Sequence, residues 1–219
     1  MQFVVSGLLL DMDGTLIDST PLVEDIWGQF ADAHGLDVRE ILSYSHGLPS
    51  ISTVRRALPD ASPEQHQYWC DFVENQGIER LDGVVEVPGA GDFIRQAQSL
   101  GVPMSVVTSA PLELARRRFA HSGVPMPTTH ITIESVTRGK PHPEPFLMGA
   151  DALGLDPAKL LAFEDGAAGI TSASDAGTPV VVVGDFSGPE SQGRPRIQHW
   201  DQIRMSHTAS SKFTIEVDQ

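Results

Sequence analysis

The sequence predicts an α/β protein: a doubly wound parallel sheet interrupted after its first strand by a helical insertion. Three observations carry this. Apolar, β-branched runs recur along the chain and look buried on both faces. Amphipathic helical patterns separate the later runs. Residues 19 to about 85 contain helical patterns and no convincing strand.

The elements follow in order. "FVVSGLLL" (3–10) reads as the first strand and ends in Asp11-Met12-Asp13-Gly14. "TPLVEDIWGQFADAHG" (20–35) is an amphipathic helix with a glycine stop, and "ISTVRRAL" and "SPEQHQYWCDFVENQG" read as two more helices. The chain returns to the core at "VEVPGAG" (85–91), a Pro-Gly hinge. "GAGDFIRQAQSLG" (89–101) is a helix, "VPMSVVT" (102–108) a strand, and "LELARRRFAHSG" (112–123) a helix ending in Ser-Gly. "PEPFLMGADALG" (143–154) opens with proline and closes with glycine, as helices do. "KLLAFED" (159–165) and "PVVVVG" (179–184) complete the strands. Beyond 185, "HWDQIRM" suggests a short helix and "SKFTIEVDQ" alternates like an edge strand, with disorder as the alternative. These boundaries divide the chain into a core of residues 1–17 and 86–205, an insertion of residues 18–85, and a tail of residues 206–219.

Bulk properties narrow the function. The 219 residues carry a formal charge of -14 and no broad basic face, which argues against nucleic acid. No apolar run approaches the roughly 18 residues of a membrane span, and no basic region precedes the N-terminal apolar stretch, so no signal peptide is expected. The single cysteine, Cys70, cannot form an internal disulfide, which fits a cytoplasmic setting. No histidine pair has zinc-like spacing.

The chemistry-bearing residues cluster at predicted strand ends, the edge where open parallel sheets bind ligands. Asp11 and Asp13 follow the first strand, Thr108 and Ser109 the second, and Glu164 and Asp165 the third, while Lys140 precedes a helix. Taken alone, Asp13-Gly14 is a turn signal. Taken alone, Thr108-Ser109 is a helix cap and Lys140 a surface lysine. An EF-hand loop fails, because Thr15 and Leu16 stand where that loop needs an oxygen ligand and a glycine. Together the clusters describe phosphoryl transfer. A carboxylate can attack phosphorus. Mg²⁺ on hard oxygen ligands offsets the charge repulsion. A hydroxyl and an ammonium hold the phosphoryl oxygens, and a second carboxyl moves the proton.

These motifs resemble those of the haloacid dehalogenase-like hydrolases, phosphatase branch. "DMDGT", "VVTSA", "RGKPHPEPF" and "FEDGAAGI" look like the four family motifs, in family order. The resemblance implies a Rossmann-like parallel core with an inserted α-helical cap that opens and closes. It implies Asp11 as nucleophile and Asp13 as acid/base, with the Asp13 carbonyl on Mg²⁺. It also implies Thr108 and Lys140 on the phosphoryl group, and Asp165 on the metal with Glu164 beside it or one water away. "DSTPLVEDIW", "AHGL", "SHG" and "EVPGA" look like the sugar and polyol phosphatases, so the expected substrate is a small phosphorylated sugar or polyol. Substrate choice should lie in the cap, where His46 and Arg55 are candidates beside Ser109 of the core. The basic run Arg116–Arg118 reads as a solvated helix face. Two features depart from the family pattern: Gly166 stands where many relatives carry serine, and the nearest arginines after "SHG" are Arg55 and Arg56. A monomer is expected for an enzyme with a moving lid.

Three rivals are weighed. A sugar phosphomutase would share the aspartyl-phosphate, but family mutases often carry valine where this chain has Thr15. A dehalogenase would not need Asp13. A non-catalytic binding protein on the same scaffold should have lost one of Asp11, Asp13, Lys140 or Asp165, and all four are present.

Overall fold

The computed structural model describes residues 1–209 and 212–218. Strand β1 (Gln2–Val5) is followed after a single residue by β2 (Gly7–Leu10), and β3 (Ile17–Asp18) starts a small hairpin. Four helices then form the insertion: α1 (Thr20–His34), α2 (Val38–Ser45), α3 (Ser50–Ala57) and α4 (Pro63–Glu79). Strand β4 (Val85–Glu86) pairs antiparallel with β3, so the chain leaves and re-enters the core on one two-stranded stem. The core continues through α5 (Ala90–Ser99), β5 (Met104–Val107), α6 (Leu112–Ser122) and β6 (Thr129–Ile131). Next come α7 (Glu144–Ala152), β7 (Leu160–Glu164), α8 (Ala167–Asp175), β8 (Val180–Val183) and β9 (Arg196–Ile197). Strands β10 (Ile203–Ala209) and β11 (Lys212–Val217) end the chain.

The main sheet has six strands in the order β6-β5-β2-β7-β8-β9, and every neighbouring pair is parallel. Numbered along this sheet alone the order is 3-2-1-4-5-6, that of Rossmann folds, with the switch point at β2. The strands β2, β5, β7 and β8 are buried throughout, as their unbroken apolar runs require. Leu8, Leu10, Val106 and Phe163 face one layer with Phe93 of α5 and Phe119 of α6. Leu9, Val107 and Ala162 face the other with Phe146 of α7 and Ile170 of α8.

Three expectations need correction. The run 3–10 is two strands: at Ser6 the chain changes sheets, its N–H bonding Lys159 O at 2.8 Å. Gly7 follows because a Cβ there would lie 2.7 Å from Pro103 O. The tail is neither an edge strand nor shapeless among the described residues. Strand β11 is the centre of a three-stranded antiparallel sheet, β1-β11-β10. Its buried Phe213, Ile215 and Val217 pack on one face of the core, Lys212 and Glu216 are exposed, and Thr214 between them is buried too. Residues 210, 211 and 219 of the tail lie outside the described residues. The stretch 199–205 is no α-helix but a single 3₁₀ turn, Trp200–Gln202, running into β10. Helix α2 and the short strands β6 and β9 were not anticipated.

Trp200 locks this turn to the loop after β2. It is buried, stacked between Phe93 and Phe163 at 4.1 and 4.8 Å between ring centres, and its indole N–H donates to Thr15 O at 2.9 Å. Replacing Trp200 with Ala removes this packing and leaves the Thr15 carbonyl unpaired. The expected loss is about 3–5 kcal/mol of folding stability in urea denaturation, and a loss under about 1 kcal/mol would contradict the packing described.

Candidate active site

The carboxyl ends of β2, β5 and β7 lie side by side because those strands are neighbours in the sheet. Asp11 follows β2, Thr108 follows β5, and Glu164 closes β7 with Asp165 next in the chain. The Asp11 N–H bonds Phe163 O at 3.0 Å and the Thr108 N–H bonds Ile131 O at 2.9 Å, so ladder-type hydrogen bonds run up to the site.

Lys140 is the centre of the arrangement. Its Nζ donates to Asp11 Oδ1 and to Glu164 Oε1, both at 2.6 Å, and all three residues are buried. Glu164 is filled on its other oxygen too, where Oε2 accepts the N–H groups of Asp165 at 3.0 Å and Gly166 at 3.4 Å. Two glycines make this density possible. A Cβ on Gly14, whose φ is +78°, would sit 2.0 Å from Asp165 Oδ2. A Cβ on Gly169, in the first turn of α8, would sit 1.6 Å from Glu164 Oε1. The turn tendency of Asp13-Gly14 is therefore used to bring β2's loop against Asp165.

Electrostatics follow from the crowding. Burial pushes the Asp11 carboxyl up to about 7, helped by the Glu164 charge and opposed by Lys140. Burial also raises Asp165, with Asp11 and Glu164 adding to the effect. Burial opposes the charge on Lys140, but the two carboxylates outweigh it and hold the ammonium above its usual range. Carboxylate oxygens of Asp11, Glu164 and Asp165 fall within 4.8 Å of one another. Three hard oxygen donors, two of them disfavoured as bare anions, fit a small divalent cation.

Asp13 is held from one side. Its Oδ1 accepts the Ser19 hydroxyl at 2.8 Å and pairs with the Arg118 guanidinium. Arg118 is buried, against the expectation of a solvated run. The signal was present in the helical spacing: Leu114, Ala115, Arg118 and Phe119 form the buried stripe of α6, while Arg116 and Arg117 point to water.

Over these residues the cap covers a partly open cavity of about 110 Å³, lined by Asp11, Asp13, Thr108 and Asp165 below and by α1, α3 and α4 above. His46 and Ser109 line it. The Ser109 hydroxyl, however, donates to Gly47 O in the cap at 2.8 Å, so it joins core to cap. Arg55 does not line this cavity. It is exposed, beside a separate surface depression with Arg138 and His142. Its neighbour Arg56 lies 3.8 Å over the Tyr44 ring.

A parallel sheet of this order, with a lysine-bridged acid cluster under a helical lid, has the form of a hydrolase core. Residues 5–177 match the family described as haloacid dehalogenase-like hydrolase, and the chain belongs to that family. It is similar to hexitol phosphatase A of Escherichia coli K12, 37% identical over 81% of this chain and 82% of that one. It is also similar to glycerol-1-phosphate phosphohydrolase 2 of Saccharomyces cerevisiae, 32% identical over 83% and 75% respectively. The crystal structure of a β-phosphoglucomutase from Clostridium difficile shares the fold, with a TM-score of 0.80 at 20% identity over 91% of this chain and 93% of that one. No helix among the described residues is long and apolar enough to cross a membrane.

The raised carboxyls make a metal test with a defined sign. Without a cation, the folded protein binds protons at Asp11 and Asp165 more tightly than the unfolded chain does. The Asp11 contribution is full below about pH 4 and is lost as pH rises through about 7, and the raised Asp165 carboxyl acts in the same direction. A cation that replaces those protons restores it. The increase in Tm on adding Mg²⁺ should therefore be small at pH 5 and grow through pH 7 to 8. An increase that is equal at pH 5 and pH 8 contradicts this account.

Proposed function

We propose that this protein is a Mg²⁺-dependent phosphatase acting on a small sugar or polyol phosphate through an aspartyl-phosphate on Asp11. The observation that carries the proposal is the convergence of Asp11, Asp13, Thr108, Lys140 and Asp165 on one sheet edge beneath the cap. The names of the similar hexitol and glycerol phosphate phosphatases support the substrate class.

Lys140 occupies Oδ1 of Asp11, which leaves Oδ2 to attack phosphorus. The Thr108 hydroxyl holds a phosphoryl oxygen in this reading, as charge builds up in the transition state. Asp11, Asp165 and the Asp13 carbonyl would hold Mg²⁺, which when bound offsets the charge of phosphoryl group and nucleophile. Glu164, with both oxygens engaged, orients Lys140 and the Asp165 loop more than it serves as a ligand. Because Ser19 and Arg118 both load Oδ1 of Asp13, its Oδ2 carries the proton to the leaving oxygen and later takes one from water.

The test is phosphate release from a panel of sugar and polyol phosphates with Mg²⁺ present or chelated. Activity is expected only with the metal, and Asp11→Asn should lower kcat by at least about 10⁴-fold. Unchanged turnover in Asp11→Asn would contradict the mechanism. An isomerised sugar phosphate in place of free phosphate would mark a mutase.

A further inference from the structure

The cavity beneath the cap holds charged groups of uneven balance. Its acids are Asp11, Asp13 and Asp165 on the floor and Glu74 on the wall, contributed by α4 of the cap. Among the described residues Arg118 is the one arginine or lysine lining it, and its guanidinium is already paired with Asp13. Lys140 is likewise committed to Asp11 and Glu164. Among the described residues no uncommitted arginine or lysine lines the part of the cavity away from the phosphoryl site.

What does face that part is neutral or acidic. Ser45 is buried, and its hydroxyl has no hydrogen-bond partner among the described residues, although it lines the cavity. Glu74 is half-buried. Its Oε1 accepts the Cys70 thiol at 3.4 Å, and Ser50 of the cap is a second hydroxyl partner of the carboxylate. Beside them Trp27, Ile26 and Val73 supply an apolar wall. A polyol chain has this alternation, with C–H faces for the apolar wall and hydroxyls for Ser45 and Glu74. A second anion would meet Glu74 with no free arginine or lysine among the described residues to receive it.

We propose that Glu74 is a specificity-determining residue, which accepts a hydroxyl of an uncharged polyol tail and rejects phosphorylated substrates bearing a second negative group. The proposal rests on the phosphatase reading above and goes beyond it by sorting monophosphates according to tail charge. Its premise is steric and electrostatic. Glu74 reaches the substrate space from a different element than the catalytic carboxylates, so its removal does not dismantle the reacting edge.

Two probes of matched length test it: glycerol 3-phosphate and 3-phosphoglycerate, which differ by a hydroxymethyl group against a carboxylate. Full-length protein is assayed for phosphate release at pH 8 with Mg²⁺, as wild type, Glu74→Gln and Glu74→Asp. Wild type should prefer glycerol 3-phosphate by about 10-fold or more in kcat/KM, mainly through KM. Glu74→Gln should narrow that ratio about 5-fold or more by lowering the KM for 3-phosphoglycerate, and Glu74→Asp, which keeps the charge, should not. A wild-type ratio within about 3-fold of unity overturns the proposal without recourse to any variant. So does an unchanged ratio in a Glu74→Gln protein that still turns over glycerol 3-phosphate. Release from neither probe, nor from hexitol phosphates, would instead remove the phosphatase reading and the proposal with it.

Discussion

A single ammonium ion buried between two carboxylates is the constraint on which the active edge depends. Lys140 reaches Asp11 and Glu164 at 2.6 Å each, and none of the three is more than marginally exposed. Taking such charges out of water costs several kcal/mol per ion, and the cost is recovered only if geometry is close and the remaining lone pairs are filled. Here they are filled on the Glu164 side by two backbone N–H groups at the start of α8, where the helix end itself favours negative charge. On the Asp11 side one oxygen stays free of protein donors among the described residues. The same cluster thus orders the loops and leaves one oxygen of Asp11, the proposed nucleophile, without a protein partner. The parallel order that sets β2 between β5 and β7 is what brings the three loops within reach.

The cap and core share the site through few contacts. Ser109 bonds the cap loop at Gly47, and α4 approaches α6 closely at Gly77, where a Cβ would lie 2.9 Å from Leu114 and 3.4 Å from Arg118. Arg118 therefore sits beneath the cap while holding Asp13 in the core. One side chain thus touches both the helical insertion and Asp13, the proposed acid/base group. In the proposed reading the core supplies the reaction and the cap the wall that a substrate tail must fit.

Much of this was legible in the sequence, and the rest was hidden for identifiable reasons. The strands β2, β5, β7 and β8 declare themselves because full burial demands unbroken apolar runs. The catalytic edge shows because polar residues stop those runs at Asp11, Thr108 and Glu164. The break at Ser6 was hidden, since one apolar run serves two sheets and periodicity carries no mark of a change of partner. The position of β11 was hidden because a strand paired on both sides and a strand at an edge can share one alternating pattern. Arg118 was hidden by its neighbours: a triple-arginine run reads as solvated until the stripe of Leu114, Ala115 and Phe119 is used to orient it. Arg55 was misplaced because two adjacent helix residues point about 100° apart, and neither Arg55 nor Arg56 turns toward the cavity.

The most direct measurement of the central claim is chemical trapping of the phosphoryl group. Protein mixed for milliseconds with a ³²P-labelled polyol phosphate and Mg²⁺ is quenched in acid, then digested and mapped. A hydroxylamine-labile label on the peptide that contains Asp11 is the predicted result. Rapid phosphate release with no acyl-phosphate, or with the label on another residue, would contradict the account.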